Sequence, residues 1–297
     1  MAAPRPRRVV ISTDAKNEAD DQFALVHALL TRTLDVRGVL PAHFGRDASR
    51  AASRQEVELL QRLLGRARRP SSVHDGAETA LPDANTAAPS AASRFLMEEA
   101  AADERRLCIA VLGPLTDVAS ALLEYPDFRE RDPLVVWVGG PPYEGVAAYS
   151  PEFNLINDVH AANIVMASGV EVWQIPMSAY TMIGVGHAEL EERLRGTSPL
   201  GDYLVDQLVE FNRTVDYGPL DFRSLGDSPA IGALINPGAA RWSLRPPPQF
   251  TPDGEMGGTH DEARRIRVCE SFDTRWLIED MFAKIRAFGA GALAATS

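Results

Sequence analysis

The chain alternates short apolar runs with longer amphipathic segments, and this alternation limits the folds that it can adopt. The apolar runs are mostly aliphatic, as are β-strands that are covered on both faces. They lie at residues 8–12, 107–112, 134–138 and 170–175, with a weaker run at 34–40. Strands that alternate with helices form a mainly parallel sheet between two helical layers. We therefore predict an α/β fold with three layers and a mainly parallel open sheet, in a Rossmann-like arrangement.

The segments between these runs are predicted to be helices. Residues 48–64, for example, repeat apolar side chains at helical spacing. Further helices are predicted at residues 20–30, 93–102, 116–123, 159–168, 203–215 and 273–288. Residues 71–89 and 245–260 contain many breakers of regular structure, so we predict a surface segment and a loop or edge ribbon. No internal repeat divides the chain, and we predict one domain over residues 1–297.

Composition excludes several classes of function. The net charge of -11 repels phosphate backbones, which argues against nucleic acid as a partner. Cys108 and Cys269 lack the spacing of a zinc site and are predicted to be reduced core thiols. No apolar stretch approaches the roughly 20 residues of a membrane span. Residues 1–8 run into the first strand without an apolar leader, so we expect a cytoplasmic protein.

Acidic residues crowd behind the first predicted strand. Asp14 ends this strand, and Asp20 and Asp21 begin the next helix, with Glu18 between them. Acidic residues in a first helical turn often serve only to start the helix, but Asp14 has no helix of its own. Like charges in one loop repel each other unless a cation compensates them. The compensating cation is either Lys16 or a divalent metal ion such as calcium or magnesium, which prefers carboxylate and carbonyl oxygens.

This segment resembles the N-terminal calcium motif of the inosine–uridine-type nucleoside hydrolases, in which D-P-G-x-D-D follows a strand. Further segments resemble motifs of the same family, in the same order along the chain. They are residues 113–117 (G-P-L-T-D, against G-P-L-T-N), 135–140 (against V-V-x-M-G-G), 152–162 (against E-F-N-x-x-x-D-x-x-A-A), and Asp227 with Pro229 (against H-D-P). The matches extend over residues 9–235, which is most of the chain. The resemblance supports the Rossmann-like nucleoside hydrolase fold.

The resemblance implies an enzyme that hydrolyses the N-glycosidic bond of a nucleoside or a nucleoside-like riboside. The implied cofactor is Ca2+, and the implied partner is a small molecule. Asp14 then corresponds to the metal-bound carboxylate that takes a proton from the attacking water. Asp21 corresponds to a bidentate metal ligand, and the carbonyl of Leu112 to a backbone ligand. Asp227 corresponds to a carboxylate that contacts both metal and sugar.

The remaining predicted site residues are expected to contact the substrate. By the same resemblance, Asp20, Glu152 and Asn154 correspond to groups that hold the sugar hydroxyls. His43 follows the second strand at its carboxyl end and is a candidate catalytic residue. Tyr149 precedes the segment of Glu152 and is a candidate hydrogen-bond donor or stacking ring.

The chain departs from the classical motifs at three places. Five residues separate Asp14 from Asp20, where the motif has three, which resembles a divergent nucleoside-hydrolase-like branch in which Glu18 enters the site. Gly226 stands where classical members have a histidine that protonates the leaving base. Val146 stands where they have an asparagine near the sugar 5-hydroxyl. The identity of the base and of the sugar therefore stays open.

Other functions were weighed against this one. A nucleoside- or sugar-binding protein that keeps the metal site without turnover is the main alternative, and Gly226 favours it. A phosphatase with a strand-end aspartate would need D-x-D, which Ser12-Thr13-Asp14 lacks. A nicotinamide dehydrogenase would need G-x-G-x-x-G after a strand, and we find none. A homo-oligomer, either a dimer or a tetramer, is compatible with the predicted enzyme.

Overall fold

The fold is organised around a seven-stranded sheet in a computed structural model that describes residues 5–65, 72–145, 149–215 and 220–292. Its strands are β1 (Arg7–Thr13), β2 (Leu34–Pro41), β3 (Leu107–Val111), β4 (Leu134–Val138), β5 (Glu171–Ile175), β8 (Ala240–Arg245) and β11 (Ile266–Phe272). They are ordered β2-β1-β3-β4-β5-β11-β8. All neighbours pair in parallel except β8, which runs antiparallel to β11. The predicted α/β fold with a mainly parallel sheet is confirmed.

Two short antiparallel ribbons accompany this sheet. One pairs β6 (Gly184–Gly186) with β7 (Phe222–Ser224), and the other pairs β9 (Pro248–Phe250) with β10 (Met256–Thr259). The second ribbon lies within residues 245–260, where a loop or edge ribbon was predicted. Strands β8 and β11 were not predicted from the sequence, so the predicted sheet lacked two of its seven strands. Charged residues interrupt both: β11 contains Arg267 and Glu270, so it does not form a continuous apolar run.

Helices cover both faces of the sheet. They are α1 (Asp21–Leu30), α2 (Ser49–Leu64), α3 (Ala91–Ala101), α4 (Thr116–Glu124), α5 (Asp127–Glu130), α6 (Phe153–Ile156), α7 (Val159–Ala167), α8 (Met177–Tyr180), α9 (His187–Leu194), α10 (Pro199–Asn212), α11 (Ser228–Ile235) and α12 (Thr274–Gly289). A 3-10 turn covers Pro237–Ala239. Among the described residues, no helix combines the length and the apolar content that a membrane span needs.

The apolar side chains form two clusters, one on each face of the sheet. Helices α1, α2 and α9 to α12 contribute to the first cluster, and helices α3, α4 and α7 contribute to the second. Alternate residues of one strand enter different clusters: Val9 and Ile11 of β1 join the first, and Val10 joins the second. This arrangement is the predicted three-layer packing, since successive side chains of a strand point to opposite faces.

The strand register brings the chemically interesting segments to one edge of the sheet. Ser12 of β1 lies opposite Val111 of β3, and the backbone N–H of Leu112 donates to the carbonyl of Ser12 at 2.9 Å. Asp14 and Leu112 therefore leave neighbouring strands side by side. Ligands of open parallel sheets bind at this carboxyl edge, which is where the sequence placed the acidic cluster.

Candidate active site

A cleft of about 360 Å³ opens at the carboxyl edge of the sheet. It is lined by Asp14, Asn17, Glu18, Asp20, Asp21, Leu112, Val138, Tyr149, Glu152, Phe153, Asn154, Tyr180, Gly226 and Asp227. The cleft thus contains every residue that the sequence analysis named for the site except His43. The segments that supply them are distant along the chain. The neighbouring strands β1, β3 and β4 bring Asp14, Leu112 and Val138 together, and α8 and the segment before α11 add Tyr180 and Asp227.

Four carboxylates lie buried in this cleft. Asp14 follows β1, Asp20 and Asp21 begin α1, and Asp227 precedes α11, with exposed fractions of 1%, 8%, 2% and 5% respectively. Oxygens of Asp20, Asp21 and Asp227 lie within 4.8 Å of one another, close enough to hold one metal ion. The Thr13 hydroxyl donates to Asp21, and the backbone N–H of Asp227 donates to Asp20 at 3.3 Å.

Helix capping does not account for these carboxylates. Asp20 and Asp227 occupy the N-cap positions of α1 and α11, but neither side chain accepts a hydrogen bond from its own helix. Asp158 behaves differently: its side chain accepts from the backbone N–H of Ala161 at 2.9 Å and caps α7. The carboxylates of Asp20 and Asp227 are therefore directed to the cluster.

Asp14 holds an unused oxygen at the floor of the cleft. Among the described residues, its buried Oδ2 atom finds no hydrogen-bond partner. Gly113 permits the close approach of the next strand end, because a Cβ atom there would lie 2.7 Å from Cγ of Asp14. Buried polar atoms are nearly always paired, so an unpartnered carboxylate oxygen indicates a place for a ligand. Together with the neighbouring carboxylates, it fits a hard cation that prefers oxygen ligands.

Burial and repulsion from neighbouring carboxylates raise the pKa of each of these carboxyl groups. Burial is the largest cause for all four. It raises the pKa of Asp20 to about 7, with repulsion from Glu18 as the next cause, and the pKa of Asp21 to about 8, with repulsion from Asp20 next. The pKa values of Asp14 and Asp227 are also raised well above the usual range. Without a cation, the cluster thus retains protons that exposed carboxylates lose.

Lys16 and Arg223 are the basic side chains to compare with the cluster within the described residues, and each is paired with a glutamate. Lys16 is more than half exposed and lies 3.6 Å from Glu56, so it does not compensate the aspartates as the sequence analysis considered. Arg223 pairs with Glu18, its guanidinium lies 4.4 Å from the ring centre of Phe211, and its charge lowers the pKa of Asp20. The sequence analysis missed Arg223, because no local pattern connects it with Glu18.

Glu152 and Asn154 form hydrogen bonds that connect the segments lining the cleft. The Asn154 amide donates to the carbonyls of Leu112 at 2.7 Å and Val138 at 3.0 Å, which ties the ends of β3 and β4 together. The carboxylate of Glu152 accepts from the backbone N–H groups of Gly140 and Leu155 and from the hydroxyl of Tyr180. Tyr180, which the sequence analysis also missed, in turn contacts the hydroxyl of Tyr149.

His43 lies outside the described lining of the cleft. Its ring is buried, and Nε2 lies 2.8 Å from the Thr116 hydroxyl, which donates to Asp158. Because Nδ1 accepts from the backbone N–H of Gly45 at 3.4 Å, Nε2 carries the proton and donates to Thr116. Burial lowers the pKa of His43, which favours the neutral ring. This geometry gives no support to a catalytic role for His43. Val146, the third departure, lies outside the described residues.

Comparison with known proteins agrees with this geometry. The family model described as inosine-uridine preferring nucleoside hydrolase matches residues 9–279. The chain belongs to this family. It is therefore an N-glycosyl hydrolase of the nucleoside hydrolase type.

Curated relatives carry names of the same kind. A probable uridine nucleosidase 2 of Oryza sativa subsp. japonica is 26% identical over 260 residues, which cover 79% of this chain and 75% of the relative. A pyrimidine-specific ribonucleoside hydrolase of Citrobacter koseri is 28% identical over 214 residues, covering 65% of this chain and 67% of the relative.

Solved structures show the same fold. A purine-preferring ribonucleoside hydrolase from Gardnerella vaginalis superposes with a TM-score of 0.78 at 18% identity, over 95% of this chain and 99% of the other. An inosine-uridine preferring nucleoside hydrolase from Bacillus anthracis gives a TM-score of 0.72 at 17% identity, over 94% and 99%. The predicted nucleoside hydrolase fold is confirmed.

The raised pKa values predict how metal-free protein responds to pH. In the unfolded chain Asp20 and Asp21 ionise near pH 4, whereas the folded protein keeps their protons up to about pH 7 and pH 8. The folded state thus binds more protons within this window, so its free energy of unfolding falls as the pH rises. Chemical denaturation of chelator-treated protein should show this fall, and calcium added at pH 8 should reverse it.

Asp21→Asn separates this effect from the general pH dependence of an acidic protein. The variant lacks one of the repelling carboxylates, so its stability should fall less steeply with pH, and calcium should stabilise it less. Asp206→Asn is the matched control, because Asp206 is exposed on α10 and pairs with Arg195 at 2.8 Å. Equal pH slopes and equal calcium effects in wild type and Asp21→Asn would contradict the role assigned to the cluster.

Proposed function

We propose that the protein is a calcium-dependent nucleoside hydrolase that releases free base and sugar from a ribonucleoside or a similar riboside. The observation that carries this proposal is the unpartnered Oδ2 atom of Asp14 beside three further buried carboxylates. Family membership supports the reaction class, and the chemistry of the oxygen cluster supports the metal. A cytoplasmic location and a homo-oligomer stay predictions from the sequence.

Asp14, Asp21 and Asp227, with the carbonyl of Leu112, are the groups proposed to hold the cation, and Asp20 adds a further carboxylate beside them. When bound, calcium supplies a positive charge that lowers the pKa of a coordinated water. Asp14 is proposed to accept the proton of the attacking water. Its burial in the cleft and its unpartnered Oδ2 atom support this role, because a base must lie within hydrogen-bond reach of the proton that it accepts.

The other carboxylates are proposed to stabilise the reacting sugar. Cleavage of a glycosidic bond develops positive charge on the sugar ring. Fixed negative groups in a site that excludes water stabilise such charge. Asp20, Asp227 and Glu152 line the cleft and could serve this role, and the amide oxygen of Asn154 has no partner among the described residues, since both hydrogen bonds of its side chain are made by its nitrogen. Contacts of these groups with sugar hydroxyls would hold the ring over Asp14.

The departing base receives no help from residue 226, because Gly226 has no side chain. His43 is held by Thr116 outside the described lining of the cleft. Tyr149 and Tyr180 line the cleft, but burial raises the pKa of both phenols, which makes them reluctant proton donors. We therefore propose that the enzyme depends on the leaving ability of the base more than an enzyme with a positioned acid would.

Asp14→Asn tests the proposed base. The substitution removes the proton acceptor and keeps the shape of the side chain, so turnover should fall by about 10²–10⁴-fold. The affinity for a substrate or product sugar should change much less, because Asp20, Glu152 and Asn154 remain. Release of ribose by wild type and variant, together with calorimetric binding of ribose, measures both effects.

The Asp206→Asn control carries the same chemical change on the protein surface and should keep full turnover. Wild-type turnover in Asp14→Asn would exclude Asp14 as the base. Binding of nucleosides by the wild type without release of base, in the presence of calcium, would instead support the alternative of a non-catalytic binding protein.

The absence of a well-placed general acid among the described residues predicts a dependence on the leaving group. General acids contribute about 10²–10⁴ in rate, so inosine and adenosine should be poor substrates compared with a riboside whose leaving group needs no proton. Initial rates with inosine and with p-nitrophenyl ribofuranoside measure this ratio. Efficient hydrolysis of inosine that is unchanged in His43→Ala and Tyr149→Phe would contradict this account of the leaving group.

A further inference from the structure

Three side chains form a hydrogen-bond chain that runs from the floor of the cleft to its exposed part. The hydroxyl of Tyr180 donates to Oε1 of Glu152 at 2.9 Å, and the hydroxyl of Tyr149 contacts that of Tyr180. Exposure rises along this chain, from 2% for Glu152 and 7% for Tyr180 to 43% for Tyr149. All three residues line the cleft, so the chain ends at its most exposed member.

The direction of the hydrogen bonds follows from the surroundings of Glu152. Oε2 accepts from the backbone N–H groups of Gly140 at 2.7 Å and Leu155 at 2.9 Å. Oε1 accepts from the backbone N–H of Asn154 at 3.3 Å and from Tyr180. The three backbone N–H groups can only donate, and with Tyr180 as the fourth donor both oxygens of Glu152 serve as acceptors, as in an ionised carboxylate. Burial raises the pKa of Glu152, and the hydrogen bonds from these four donors lower it.

The hydroxyl proton of Tyr180 is therefore used in the hydrogen bond to Glu152. A phenol has one proton, so the contact between the two hydroxyls requires Tyr149 to donate to the oxygen of Tyr180. Burial raises the pKa of both phenols, which keeps them protonated at neutral pH. The remaining lone pairs of the Tyr149 oxygen are then available to the cleft, and this oxygen can only accept a hydrogen bond from a ligand.

Gly226 makes room for this chain. A Cβ atom at residue 226 would lie 3.0 Å from Cδ2 of Tyr180 and 3.3 Å from Oδ2 of Asp20. A larger side chain would need to displace the Tyr180 ring or the carboxylate. The position of the Tyr180 ring therefore depends on the absence of a side chain at residue 226.

We propose that Tyr149 recognises the substrate as a hydrogen-bond acceptor and that Tyr180 is the positioning residue that fixes this direction. The inference rests on the proposed function and adds a specificity-determining contact to it. The group recognised is a hydrogen-bond donor of the nucleoside, either the 5′-hydroxyl of the sugar or a ring N–H of the base. The two sources share the same chemistry, and the substrates of the test distinguish them.

Tyr149→Phe is the first variant, and it is measured with uridine, 5′-deoxyuridine and 3-methyluridine. Loss of one neutral hydrogen bond should raise KM by about 3- to 10-fold with a smaller change in kcat. If the 5′-hydroxyl is the donor, the rise should occur with uridine and 3-methyluridine and not with 5′-deoxyuridine. If the ring N–H is the donor, it should occur with uridine and 5′-deoxyuridine and not with 3-methyluridine. Calorimetric Kd values replace KM where turnover is slow.

Tyr180→Phe keeps the ring beside Gly226 and removes only the hydroxyl. The proton of Tyr149 is then free, so its oxygen can donate as well as accept, and the preference for the donor-bearing substrate should fall. Tyr149→Phe should add less in this background than in the wild type. Tyr203→Phe is the matched control, because the Tyr203 hydroxyl also donates to a buried glutamate, Glu56, outside the lining of the cleft. It should leave KM for all three substrates unchanged.

Two results would overturn the inference. The first is a Tyr149→Phe variant whose KM changes equally for all three substrates, or for none. The second is independent of substrate and uses proton NMR. The wild type should show a slowly exchanging hydroxyl resonance that is lost in Tyr180→Phe and kept in Tyr203→Phe. Absence of this resonance from the wild type would exclude the hydrogen-bond chain. A wild type that neither binds nor cleaves any nucleoside would contradict the proposed function, while the resonance still decides the hydrogen-bond chain.

Discussion

The repulsion among four buried carboxylates is the interaction on which the rest of the site depends. Asp14, Asp20, Asp21 and Asp227 are all at least nine-tenths buried, and burial and proximity raise the pKa of each. Within the described ranges, the nearby cations Lys16 and Arg223 are each paired with a glutamate. Such a cluster persists in the folded state either by holding protons or by holding a metal ion. The concentration of buried negative charge thus lowers the stability of the folded protein, and it also makes the site suitable for a cation and for stabilising a positively charged sugar.

The sequence predicted the part of the fold that local patterns encode. Strands β1 to β5 and the helices α1 to α4 and α7 have continuous apolar runs or helical periodicity, and each was placed within a few residues of its observed bounds. The one-turn helices α5 and α6 between these strands were not predicted. Strands β8 and β11 were missed because neither has a local apolar pattern typical of a strand, and both are defined by pairing with a neighbour. β8 has only half-buried and exposed residues at the sheet edge, and β11 carries charges between its buried side chains. Their assignment requires knowledge of the neighbour that each one meets.

The residues of the candidate site likewise fall into those that local sequence patterns predict and those that they do not. The carboxylates and Leu112 could be predicted, because each follows a strand or precedes a helix in a recognisable motif, and parallel strands end at one edge. Tyr180 and Arg223 could not, since their partners Glu152 and Glu18 are distant along the chain and no motif links them. His43 has the right position at the end of β2, but its ring binds Thr116, and strand position does not determine the direction of a side chain.

A crystal structure of the protein grown with calcium tests the central claim most directly. The account predicts one anomalous-scattering peak in the cleft, at about 2.3–2.6 Å from oxygens of Asp14, Asp21 and Asp227 and from the Leu112 carbonyl. The previously unpartnered Oδ2 atom of Asp14 should be directed to the ion or to a water bound to it. A cleft without such a peak at saturating calcium, with Asp14 still unpartnered, would contradict the account.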